Sequence, residues 1–147
     1  MWVLADSVNG YTCDLDVYIG RNAAAAPSAN GLGYDLVMKL VQPLINQGYH
    51  LYFDNFYTSV TLVKDLFHLM IPATGTAAEN RRGFPDSMKN SKKRAQRKQR
   101  GSMRWERDGV CLALQCKDNR PVTMLTSIDN ANDFLFIDQN EKVRNVW

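Results

Sequence analysis

Histidine and cysteine are scarce in this sequence, with two and three copies respectively, and neither set is spaced like zinc ligands. His50 and His68 have no nearby partner set, and Cys13, Cys111 and Cys116 form no ligand pair, so no zinc site is argued. Cys111 and Cys116 lie five positions apart in an apparent strand, which sends their side chains to opposite faces and argues against a disulfide. Long apolar runs are also missing. None approaches the roughly 20 residues of a membrane span. Met1 to Ala5 has neither the basic start nor the length of a signal peptide. A soluble, intracellular protein with no membrane partner is expected.

What is present suits one compact unit: 147 residues, 45% of them hydrophobic and 10% aromatic, enough for a real core. The net charge of +3 hides a division. Residues 81–107 hold 11 Lys or Arg against the two acids Asp86 and Glu106, a balance of +9, and the remainder holds 7 against 13, or −6. Basic, partner-binding character is therefore local.

Trp2 to Ala5 is a short apolar run. After the Asn9-Gly10 turn signal, Tyr11 to Tyr18 alternates apolar with polar residues, the pattern of a hairpin. Tyr11, Cys13, Leu15 and Val17 share one face; Thr12, Asp14 and Asp16 share the other and are expected to look outward, as solvated acids rather than metal ligands. Residues 22–33 read as a loop. From Tyr34, apolar residues at Val37, Leu40, Val41, Leu44 and Ile45 mark a helix buried on one side. Pro43 predicts a kink or an early end of that helix, and Gly48 a terminator.

A second helical stripe runs through Val60, Val63, Leu66, Phe67 and Met70, capped by Thr58 or Ser59. Ile71 to Thr76 reads as a strand, with Pro72 where its missing amide is not needed. From Asp86 the composition shifts to Ser, Lys, Asn, Gln and Arg. Lys92, Lys93, Arg94, Arg97, Lys98 and Arg100 make a run too charged and too poor in apolar residues to pack, and it is expected to be mobile. It reads equally as a solvated linker, as a nuclear-import signal or as a set of phosphate contacts on DNA. Without interleaved aromatics it is no single-strand stacking platform. Strands at Met103–Arg107, Val110–Lys117 and Val122–Ser127, joined at Asp108-Gly109 and Asp118-Asn119, make an antiparallel meander.

Tyr49 to Ser59 is where chemistry is expected. Leu51, Tyr52 and Phe53 resemble a strand covered on both faces, Asp54 closes it, and the chain then turns into the capped helix. On spacing alone Asp54 reads first as a turn residue, although carboxyl ends of strands in α/β sheets are also where ligands and metals sit.

Tyr-Phe-Asp-Asn-Phe-Tyr-Thr-Ser, residues 52–59, resembles the D-N-[FW]-[FY]-T-S block of the piggyBac family of transposases and the proteins derived from them. Gly75-Thr76 through Asn80-Arg81-Arg82-Gly83-Phe84-Pro85 is similar to its G-T-x-x-x-N-R-x-G-x-P block. Trp2 to Asp6 and Val17 to Arg21 resemble a flanking hairpin block. Lys117 to Ser127 resembles a further block, with Cys116 where the family has Trp.

The resemblance implies an α/β fold: a partial ribonuclease H-like mixed sheet with flanking helices in residues 1–85, a basic linker at 86–101, and a β-rich insertion with a truncated tail at 102–147. It makes Asp54 the second of three metal-binding aspartates. It also implies Mg²⁺ as cofactor, nuclear localisation, double-stranded DNA of transposon ends as the complete protein's partner, and a homodimer. The first and third aspartate blocks have no counterpart here. Phe136-Ile137-Asp138-Gln139 shares only a fragment of the third, so Asp138 receives no role. With one carboxylate the chain alone is expected neither to cut nor to join DNA. It reads as a fragment of a cut-and-paste transposase, or alternatively as a domesticated, non-catalytic DNA-binding or interaction module; a coincidental motif in an unrelated α/β domain is the third reading.

Overall fold

The computed structural model describes residues 1–17 and 28–128. Strands β1 (Trp2–Ala5) and β2 (Thr12–Asp16) form the expected antiparallel hairpin, with Val3 opposite Leu15. Asp6 ties its turn: Oδ1 accepts the Val8 amide at 2.7 Å and the main-chain oxygen accepts the Gly10 amide at 2.8 Å. The faces are reversed from expectation. Val3, Tyr11, Leu15 and Val17 are exposed, whereas Asp14 and Asp16 are half-buried. Strand alternation defines two faces but not which one turns inward. Here the inward face also carries Trp2, opposite Asp16 and stacked on Phe56, and Asp16 meets Lys39 of the helix packed against β2 in an ion pair of 3.0 Å.

That helix is α1 (Leu32–Leu40), which begins two residues before Tyr34, inside the stretch expected to be loop. It ends early, as Pro43 requires. A 3-10 turn at Gln42–Leu44 carries the proline where its missing amide costs nothing. Strand β3 (Leu51–Phe53) follows, then α2 (Val60–His68), whose Ser59 Oγ accepts the Leu62 amide at 3.2 Å. Met70 is not part of the buried stripe; it takes the left-handed conformation (φ 59°) just past the helix end and is exposed. Only one face of β3 is covered, since Tyr52 is 63% exposed.

Strand β4 (Ala73–Thr76) runs parallel to β3, and the predicted meander is present as β5 (Met103–Asp108), β6 (Cys111–Lys117) and β7 (Pro121–Thr126). Because β4 pairs antiparallel with β7, these strands form one mixed sheet in the order β3-β4-β7-β6-β5. Helix α2 lies on this sheet between two apolar clusters. Leu62 and Leu66 join Val37, Val41, Ile71 and Ala73 on the α1 side, and Val60 and Val63 join Phe84, Met88, Cys111 and Leu125 on the meander side. Burial pushes the Cys111 thiol up to about 11, leaving it protonated and unreactive at neutral pH.

The stretch from Asp86 packs in part, contrary to expectation, although within residues 92–100 only Ala95 is buried. A 3-10 turn at Asp86–Met88 and helix α3 (Ser91–Ala95) bury Met88, Ser91 and Ala95. Arg104 of β5 holds this stretch, donating to the main-chain oxygens of Ser87 and Met88, both at 2.7 Å, and to Gln115 Oε1 at 2.6 Å. The Glu79 carboxylate accepts the Ser91 amide at 3.2 Å from the other side. A few small or apolar side chains and a buried polar node replace the missing hydrophobic face.

One polar link joins α1 to α2: Tyr34 donates its hydroxyl to Asp65 Oδ2 at 2.7 Å. That bond, then burial and the nearby carboxylates, pushes the Tyr34 phenol from 10.0 up to about 12. Tyr34→Phe is expected to lower stability by about 1 kcal/mol at neutral pH. A pKa raised in the folded state favours folding below the unfolded value. The parent's advantage over Tyr34→Phe therefore holds below pH 10 and shrinks as pH rises from 10 toward 12. Urea unfolding of both proteins at pH 7, 10 and 11.5 checks this.

Candidate functional site

Asp54 stands where the sequence placed it, immediately after the last residue of β3 and exposed. The chain turns sharply there, and Asp54 organises the turn with both its main chain and its side chain. Its carbonyl accepts the amides of Tyr57 and Thr58, each at 3.3 Å, and the Thr58 hydroxyl at 2.7 Å. Its Oδ1 accepts the Phe56 amide at 2.9 Å. Thr58 is fully buried, so this bond anchors the turn to the core. Of the two candidate caps, Ser59 caps α2 and Thr58 holds Asp54.

Four further elements close on the turn. Trp2 of β1 stacks on Phe56, with ring centroids 5.4 Å apart and planes 14° apart, and meets Tyr57 edge-on at 5.9 Å. Gly33 of α1 lets the Phe56 carbonyl approach, since a Cβ there would lie 3.1 Å from that oxygen. Gly75 of β4 leaves room for Phe53 and Thr58. Arg81, from the loop after β4, donates Nη2 to the main-chain oxygens of Asn55 and of Phe56, the latter at 2.9 Å. Sequence reasoning assigned Arg81 no role; its place in the Asn-Arg block was the only signal. The Tyr57 phenol is pushed up, by burial first and then by the charge of Asp54.

A single exposed carboxylate suits one coordination position of a hard cation, but Mg²⁺ needs several fixed oxygens. Among the described residues no three His, Cys, Asp or Glu side chains gather as a metal-binding group. The donor set is therefore incomplete, and no chemical step follows from it. Asp138 lies outside the described residues.

Arg94, Lys98 and Arg100 of the basic run lie at the same end of the sheet. Lys92, Lys93 and Arg94 lie on α3, and Arg97, Lys98 and Arg100 directly follow it; all six are exposed. Arg94 and Lys98 border a shallow groove with Met103, Lys117 and Pro121. Arg100 is engaged by Asp118 at 2.6 Å. Since β4 runs antiparallel to β7 and β7 to β6, the end of the sheet that carries Asp54 also carries Pro121, Lys117 and Met103. Asp54 and Lys117 are separated by three strand spacings across and three residues along, on the order of 15–20 Å.

Known proteins resemble this chain over most of its length. A family model described as Transposase IS4 matches residues 1–146. Human PiggyBac transposable element-derived protein 3 is 31% identical over 126 residues, covering 80% of this chain and 20% of that protein. The human chimeric ERCC6-PGBD3 protein is 31% identical over 126 residues, covering 80% and 11%. Among solved structures, a piggyBac transposase synaptic complex with hairpin DNA, determined by cryo-electron microscopy, superposes with a TM-score of 0.71 at 25% identity, covering 87% of this chain and 26% of that one. The chain thus spans about a fifth of the length of the first of these relatives. Among the described residues, no helix is long and apolar enough to cross a membrane.

Proposed function

We propose, for a chain that belongs to the piggyBac-type transposase family, that it supplies part of a DNA strand-cleaving and strand-transferring domain, with Asp54 as one carboxylate of its metal site. In this reading residues 1–85 are a partial ribonuclease H-like core, 86–101 a basic connection and 102–147 a β-rich insertion. The observation that carries the reading is that Asp54 ends a strand in a turn held by β1, α1, β4 and the Arg81 loop together. Such convergence suits a carboxylate whose position must be fixed closely, as two-metal phosphoryl chemistry requires.

Bound Mg²⁺ would stabilise charge on the attacking and leaving oxygens at a DNA phosphate. This chain's own part is to present the Asp54 carboxylate and to hold duplex DNA by its phosphates. The exposed cations Arg94 and Lys98 border a groove at the end of the sheet that also carries Asp54, with Lys92, Lys93 and Arg97 beside them in sequence, and the strand end at Lys117 lies about five base pairs of duplex from Asp54. Arg100 is the weakest candidate for a phosphate because Asp118 already engages it. Alone, the chain neither cuts nor joins DNA, because one carboxylate cannot build a two-ion clamp. Double-stranded DNA as partner, a homodimer and a nuclear location belong to the same proposal for the complete protein.

A transposase-derived protein that kept the core and lost the chemistry is the second reading, favoured by the likeness to human PiggyBac transposable element-derived protein 3. One experiment separates them. The complete protein containing this chain, incubated with a terminal-repeat duplex and Mg²⁺, is expected to nick it, and Asp54→Ala to reduce nicking at least about a thousandfold, some 4 kcal/mol of barrier. Undiminished nicking by Asp54→Ala overturns the role of Asp54; binding without nicking by the parent establishes the second reading.

A further inference from the structure

The Arg81 guanidinium is bound in a way that its place in a surface loop does not require. Its Nη2 donates to the carbonyl oxygens of Asn55 and Phe56, 26 and 25 residues away in sequence. Its Nε is buried without a hydrogen-bond partner among the described residues. Leaving a guanidinium N–H unsatisfied is costly, so the side chain is held there by the two carbonyls rather than by a full set of its own bonds. The Asn55 carbonyl and the Phe56 amide belong to one peptide group. The guanidinium thus binds one end of that group, and the other end donates to Asp54 Oδ1 at 2.9 Å.

We infer that Arg81 is the positioning residue for the Asp54 carboxylate, acting through the peptide group between Asn55 and Phe56. A cation on the carbonyl polarises the peptide and makes its N–H a stronger donor. The same hydrogen bond fixes the plane of that peptide, and with it the direction from which the N–H meets Oδ1. One carboxylate oxygen is thereby pinned, which sets where the other points. The neighbouring Arg82 is exposed and marks the contrast: an adjacent residue of the same charge. The inference deepens the proposed role of Asp54 and takes its chemical importance from it, but the arrangement itself is measurable with no metal and no DNA.

The test is NMR on the full chain. In the parent, through-hydrogen-bond couplings are expected from the Arg81 guanidinium nitrogen to the Asn55 carbonyl carbon and from the Phe56 nitrogen to the Asp54 carboxyl carbon. Arg81→Met keeps the length of the stem and removes every donor. In a folded Arg81→Met protein the Phe56 amide is expected to exchange about tenfold faster, with the Asp54 side chain spread over several rotamers by its three-bond couplings. Arg82→Met leaves both unchanged. In Asp54→Ala, where the acceptor is gone, adding Arg81→Met is expected to have a smaller effect on Phe56 exchange than in the parent, a coupling that a purely structural role of Arg81 does not produce. Unchanged Phe56 exchange and an unchanged Asp54 rotamer in folded Arg81→Met overturn the inference. Should that variant not fold, absence of both couplings in the parent overturns it. Failure of the nicking experiment with these measurements intact refutes the catalytic reading and leaves the positioning role standing.

Discussion

Gly75→Ala is expected to remove about 3 kcal/mol of stability, the upper part of the range for overpacking a well-filled interior. A Cβ at this position of β4 would collide with Thr58 Oγ1 and lie 2.6 Å from Phe53 Cδ2 and 2.7 Å from the Phe53 carbonyl oxygen. Rotating the Phe53 ring relieves one of the three. The Phe53 oxygen is main chain of the paired strand, and the Thr58 hydroxyl is bound to the Asp54 carbonyl at 2.7 Å. The added methyl therefore forces β3 from β4 or breaks the bond that holds the Asp54 turn, and either outcome reaches the candidate site. Gly101→Ala is the control. It has φ 86° and nothing within 4 Å of the new Cβ, so it carries only the backbone penalty of about 1–2 kcal/mol. Urea unfolding of both variants measures the difference. A Gly75→Ala protein within 0.5 kcal/mol of the parent, as a rough limit for a tolerated substitution, would show that this crowding does not hold the turn.

What the sequence made legible and what it concealed divide along physical lines. The early end of α1 before Pro43, a cap of α2 at Thr58 or Ser59, and the meander were readable because each is decided within a few residues of chain, although the first loop is Gly109-Val110, with Asp108 still in β5 opposite Cys111. The inward turn of Asp14 and Asp16 was not, because alternation fixes two faces and the contacts that select between them, Trp2 on Phe56 and Asp16 with Lys39, come from other elements. The packing of residues 86–95 was hidden for a related reason. Its partners Arg104, Gln115 and Glu79 come from β5, β6 and the loop after β4, and no local pattern announces them. Asp54 could be read as an acid at a strand end, but spacing alone gave it a turn role, and the turn bonds are indeed present. Its surroundings come from four separate elements of the chain: Trp2, Gly75 and Arg81 were legible only as fragments of matched blocks, and Gly33, read as loop, was not legible at all.

Neutralising Arg94, Arg97 and Lys98 together is expected to weaken binding to a random duplex by about two to three powers of ten at 0.1 M salt. It should also make the dependence of log affinity on log salt shallower by about three units. Both figures follow from the release of close to one counterion for each DNA phosphate that a cation neutralises. Glutamine is the right replacement, since it retains a long side chain and nearly the same helix propensity, so α3 and the buried Ala95 are left in place. Position matters here more than charge count. Arg94 and Lys98 line one groove beside Lys117, and Arg104 in its wall is spent on the oxygens of Ser87 and Met88 and carries no comparable availability for phosphate. Arg100→Gln alone is expected to shift the slope by less than one unit, because its Nε is already engaged by Asp118. Fluorescence anisotropy of a labelled duplex between 50 and 200 mM salt distinguishes the cases. If the triple variant keeps the parent's slope, the basic stretch is a connection between β4 and β5 rather than a phosphate-binding surface, and any DNA held near Asp54 must be gripped by other residues.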